Sequence, residues 1–76
     1  MKYDDMSEHR KLMYDVGQQI ADMRERCGWT QVKLAKRAKT HQQYVSRLEN
    51  GQANVTIKTL LKFAEIFDRQ LVIEFV

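Results

Sequence analysis

The chain has no proline among its 76 residues, one cysteine, three glycines and no long apolar run. With 43% hydrophobic and 30% charged residues and no proline, its profile is that of an ordinary helical globular domain, which excludes a disordered tail. The lone Cys27 rules out an intramolecular disulfide and leaves no CxxC or Cys/His cluster for a metal, so no metal or other cofactor is expected. The longest apolar cluster is Leu71-Val72-Ile73, too short for a signal-peptide core or a bilayer span, and a soluble protein of the reducing cytoplasm with no membrane partner is the expectation. Nor is there machinery for an enzyme. Asp4, Asp5, Asp15, Asp22 and the glutamates are scattered, no serine or cysteine stands beside a base, and no glycine-rich loop is set to cradle phosphate.

What is present is charge of one sign in one place. The net charge is +3, and Lys33, Lys36, Arg37, Lys39 and Arg47 all fall in one window, whereas five of the ten acids lie between Asp4 and Asp22. Such a surface favours a polyanionic partner. A chain this short forms a single domain, spanning 1–76, that buries only roughly 60% of its unfolded surface, so association with a second copy would help it.

Hydrophobic spacing divides the domain into four helices and a strand. Asp5 and Glu8 resemble a capping box, after which Leu12, Val16, Ile20, Met23 and Cys27 recur every three or four residues as one helix face. Cys27 reads as a small core residue, Trp29 as a packing anchor, and Met6, Met13 and Met23 as packing or interface residues. Gly17 inside this helix costs about 1 kcal/mol relative to alanine, so either another backbone packs close there or the helix has a weak joint. Gly28 supplies the stop. Thr30 is a natural cap for a second helix with Leu34, Ala35 and Ala38 on one face, and a third runs from about Gln42 to Glu49 with Val45 and Leu48 inward, ended by Gly51. Asn54 or Thr56 caps a fourth whose inward face reads Ile57, Leu60, Leu61, Ala64, Ile66 and Phe67. From Leu71 the period becomes two, with Leu71, Ile73 and Phe75 on one side, a strand pattern that needs a buried partner; an intermolecular two-stranded sheet is expected, the alternative being a strand or extended segment folded back over its own core.

The second and third helices, joined by an abrupt turn, read as a helix-turn-helix. The third shows Gln42, Gln43, Tyr44, Ser46 and Arg47 to solvent, residue types suited to base edges and phosphates rather than to bond-breaking chemistry. Lys33, Lys36 and Arg37 read equally well as ordinary surface charge and stay outside the candidate site. His9 and His41 read as capping or surface residues rather than metal ligands.

Thr30-Gln31, Leu34-Ala35, Val45-Ser46-Arg47 and Leu48-Glu49-Asn50-Gly51, followed by Leu60 and Ala64, together resemble the Xre/Cro, lambda-repressor-like helix-turn-helix family of bacterial and phage regulators, over about Gly17 to Phe67. The resemblance implies an all-α, lambda-repressor-like bundle of about four helices plus a short C-terminal strand. It implies Gln31 and Asn50 on phosphates, and Gln42, Gln43 and Arg47 reading bases, the glutamines through adenine N6 and N7 and the arginine through guanine O6 and N7. Tyr44 and Ser46 are expected at sugar, phosphate or a thymine methyl. It also pairs Arg24 with Glu49. The sequence departs from the family pattern at Lys39, where glycine often makes the turn, at His41, where serine or threonine often caps, and at Val55, where proline is common.

The tail over 69–76 resembles that of small antitoxin regulators of the HigA and HipB type, which implies a homodimer joined through Leu71, Ile73 and Phe75. Such a dimer would present two reading helices to a near-palindromic operator in double-stranded DNA. The expectation is therefore a repressor, the antitoxin of a type II toxin–antitoxin pair that autoregulates its operon and meets a cognate toxin. Two readings stand beside it: a protein-interaction module, using Met1 to Arg10 and the tail, that neutralises a partner protein with DNA binding secondary, and a small phage or restriction-modification controller regulator.

Overall fold

The computed structural model describes residues 5–76, with side chains from residue 8 onward. The expectations for an Asp5 cap, for Met6 and for Met1 to Asp4 of the N-terminal segment lie outside the described residues. Four helices follow one another: α1 over Asp5–Arg26, α2 over Gln31–Arg37, α3 over Gln42–Glu49 and α4 over Ile57–Ile66.

Each helix ends the same way. A residue with positive φ follows it, Gly28 at 73°, Lys39 at 56°, Gly51 at 74° and Asp68 at 56°. Its N–H and that of the next residue then bond back into the last turn, Gly28 to the Glu25 carbonyl and Trp29 to that of Arg24, for instance. Lys39 with Thr40, Gly51 with Gln52 and Asp68 with Arg69 repeat the pattern, so carbonyls left over at every helix end are satisfied. Glycine adopts this conformation freely, whereas Lys39 and Asp68 adopt it against Cβ sterics. The family departure at Lys39 thus keeps the backbone path that glycine would take.

Helix starts are less uniform. The Thr30 hydroxyl accepts from the Lys33 N–H at 3.1 Å and the Thr56 hydroxyl from that of Thr59 at 3.1 Å, which selects Thr56 over Asn54 as the cap of α4. His41 occupies the cap position of α3 without a side-chain cap bond.

The core gathers one or two residues from each element: Ile20 from α1, Leu34 and Ala35 from α2, Ala38 after it, Val45 and Leu48 from α3, Ala53 from the following loop and Phe63 from α4. Trp29, Val16, Leu60, Ile66 and Phe67 pack around them. Trp29 stacks on Phe67, with ring centroids 6.0 Å apart, Phe67 continues to Phe63 at 6.3 Å, and the Arg37 guanidinium lies 4.4 Å from the Trp29 ring centroid. Gly17 resolves to close packing. A Cβ there would stand 2.1 Å from the Leu48 carbonyl oxygen and 2.9 Å from the Glu49 carbonyl, so α1 crosses the end of α3 backbone to backbone.

Several expected core residues lie elsewhere. Leu12, on α1, and Cys27, just past its end, are exposed. On α4, Ile57 and Leu61 face solvent and Phe63 takes the central place, a turn of the helix that its nearly continuous apolar sequence leaves open. The expected strand is not shown within one chain: residues 69–76 run on without a hydrogen-bonded ladder, and among the described residues there is no strand. An extended segment counts as a strand only when another pairs with it, and among the described residues no second segment pairs with it. Among the described residues no helix is long and apolar enough to cross a membrane.

Candidate nucleic-acid interface

α3 has two unlike sides because its apolar residues repeat at the helical interval. Val45 and Leu48 point into the core with Glu49 beside them, while Gln42, Gln43, Arg47 and Asn50 stand on the exposed side. Tyr44 and Ser46 are half-buried at the boundary. The amides and guanidinium are therefore presented as a row of hydrogen-bonding groups along one helical edge. Arg47 is only lightly engaged, its Nη2 donating to the Gln52 carbonyl at 3.4 Å. The structure brings six of the seven predicted nucleic-acid contacts together on or just after α3, and the seventh, Gln31, at the start of α2.

The row is held by one buried carboxylate. Glu49 is 4% exposed, a position that would be costly for an unpaired charge. Arg24 answers it with a two-pronged contact, Nε to Oε2 at 2.8 Å and Nη2 to Oε1 at 3.2 Å, and Gln31 donates Nε2 to Oε1 at 2.9 Å. The remaining Arg24 prong, Nη1, donates to the Trp29 carbonyl at 2.8 Å. Gln18 Nε2 donates to the Glu49 backbone carbonyl at 2.9 Å. Three elements thus meet at the end of α3. The hydrogen bond to Glu49 raises the Arg24 pKa, with burial acting against it and the charges of Glu49 and Glu25 adding to it, so the guanidinium stays charged wherever the protein is folded.

Gln31 is the first residue of α2, as expected, and its side chain has a partner the sequence did not signal. Its side-chain amide donates to the Glu49 carboxylate at the start of α2. Two further tethers were not signalled by the sequence. Besides Gln18, Lys62 of α4 donates Nζ to the Ala38 carbonyl at 2.8 Å, setting a positive charge at the C-terminal end of α2 beside the strained Lys39 turn. Their acceptors are main-chain carbonyls 31 and 24 residues away, and a main-chain carbonyl carries no residue type to read. Lys33, Lys36, Arg37 and Lys39 are exposed along α2 and its turn, with Arg37 turned over Trp29.

This geometry has known counterparts. A family model described as helix-turn-helix matches residues 20–73. The crystal structure of the restriction-modification controller protein C.AhdI from Aeromonas hydrophila is similar at a TM-score of 0.76 and 31% sequence identity, covering 82% of this chain and 90% of that one. Curated protein sequences give no significant match.

Proposed function

The chain belongs to the helix-turn-helix family of DNA-binding regulators, and from that premise we propose that it is a homodimeric, sequence-specific transcription regulator of the small controller type, acting in the cytoplasm without a catalytic step or cofactor. The observation that carries this reading is the exposed row Gln42, Gln43, Arg47 and Asn50, set on a helix whose far side is anchored through Glu49 to Arg24 and Gln31. A rigid helix edge of this kind suits the major groove. Gln42 and Gln43 bond adenine N6 and N7, Arg47 forks onto guanine O6 and N7, and Tyr44 and Ser46 meet sugar, phosphate or a thymine methyl. Gln31 and Asn50 fix the register on phosphates.

Similarity at 31% identity over 90% of a controller protein's chain favours the controller reading over that of an antitoxin. The antitoxin reading draws on the exposed tail, a surface that a toxin would cover. Purification of the chain with a stoichiometric, growth-inhibiting partner protein would overturn the controller assignment.

Selection of random duplex DNA by the purified protein at near-physiological salt tests the reading directly. A two-fold symmetric site with half-site centres about 34 Å apart is expected. Gln43→Ala and Arg47→Ala should each cost about 1–3 kcal/mol at particular base pairs, while Gln31→Ala weakens all sites alike. Equal losses from all three across operator variants would refute the assigned roles. No enrichment by a folded protein would transfer the reading to a module that neutralises a partner protein.

A further inference from the structure

The outer side of α4 and the tail that follows it form an open groove of about 650 Å³, lined by Lys58, Leu61, Lys62, Ala64, Arg69 and Leu71 among others. Its floor is apolar and its rim is mostly cationic. Glu65 is the one acid of the lining, against Lys58, Lys62 and Arg69. Lys62 is engaged with the Ala38 carbonyl, while Lys58 and Arg69 form no ion pair among the described residues. Ile57, one turn before Leu61 on α4, is likewise exposed.

The same chain displays a segment of complementary chemistry. Val72, Ile73, Phe75 and Val76 are all exposed, and Glu74 among them is the only acid after Asp68. We infer that the α4 groove of one copy receives the tail of a second, with Ile73 and Phe75 laid over Leu61 and Ala64 and with Glu74 at the rim beside Lys58. This rests on the homodimer proposed above and names the surface that closes it. Pairing of two tails alone would give a two-stranded ribbon, which is marginal in water, whereas a tail lying against a helix gains the apolar cover that short strands need. Charge complementarity also fixes the partner. The lone tail acid meets Lys58 and Arg69, which are unpaired among the described residues, and exchange between two copies makes the contact twice.

A charge reversal separates the groove from the dimer itself. Lys58 is the second residue of α4, where a carboxylate is favoured by the helix dipole, so Lys58→Glu should keep the fold. Light scattering and sedimentation over a range of concentrations should show Lys58→Glu and Glu74→Lys each weakening the dimer about tenfold. Each substitution strikes both symmetric pairs and turns attraction into repulsion. The double variant, which restores opposite charges, should return close to the parent affinity. If Ile73→Lys yields monomer while Lys58→Glu leaves the dimer intact, the dimer stands and the groove assignment falls. If the unmodified protein is monomeric throughout, the homodimer reading itself falls, and the groove with it.

Discussion

The helix-turn-helix and the C-terminal tail are separated in sequence by α4 and differ in nearly every physical respect. In the first, the buried Glu49 carboxylate is met by Arg24 and Gln31, its own backbone carbonyl by Gln18, and each helix end by a left-handed residue whose neighbours close the last turn. In the second, four large or branched apolar side chains stand in solvent and the backbone has no ladder. The helix-turn-helix head is thus complete within one chain, whereas the tail would be completed only by the second copy proposed above. Substitutions should sort accordingly: those in the head change folding, and those in the tail change association.

The most severe break should come at Arg24. Arg24→Met removes the partner of a buried carboxylate and should cost about 3–5 kcal/mol, measured as a fall in unfolding free energy in urea. A loss below about 1 kcal/mol would mean that Glu49 finds water instead, and that the head is looser than its geometry implies. Gly17→Ala should come next. In an exposed helix this substitution stabilises by up to about 1 kcal/mol, but here the new methyl meets the Leu48 carbonyl oxygen, so the sign should reverse to a loss of about 1–3 kcal/mol. Thermal denaturation reads that sign directly.

Lys39→Gly should act in the opposite direction. It relieves a non-glycine residue at a φ of 56° and should stabilise by about 1 kcal/mol, visible as a higher melting temperature. The smallest effect on folding belongs to the tail. Phe75→Ser should alter the unfolding free energy of the monomer by no more than about 0.5 kcal/mol, while shifting the dimer toward monomer by light scattering. A large loss of monomer stability would erase the distinction between the two regions.

How much of this was open to reading from the sequence depended on whether the deciding partner was local. The Thr30 cap that starts α2, the bounds of α3 and the inward residues of both follow from spacing and cap chemistry within a few residues, and the structure has them in place. α4 is apolar on almost every side, so periodicity could not select Phe63 over Ile57 or Leu61; the choice is made by where α4 meets the other helices. Leu12 and Cys27 sit on the correct stripe of α1 but beyond the neighbours that would cover them. At Gly17 the sequence posed two alternatives, and only the crossing of α3 decides between them. Within the candidate site, the exposed row of α3 was legible as a polar face, whereas the engagement of Gln31 with Glu49 and the tethers from Gln18 and Lys62 depend on contacts across 18 to 31 residues.

Trp29 is the only tryptophan in the chain, and it stands where the α1–α2 turn, Arg37 of α2 and Phe67 at the end of α4 come together. Its indole is thus a built-in optical sensor. The emission wavelength and its quenching by iodide report, without any label, whether α4 remains seated against the reading head as operator or partner binds.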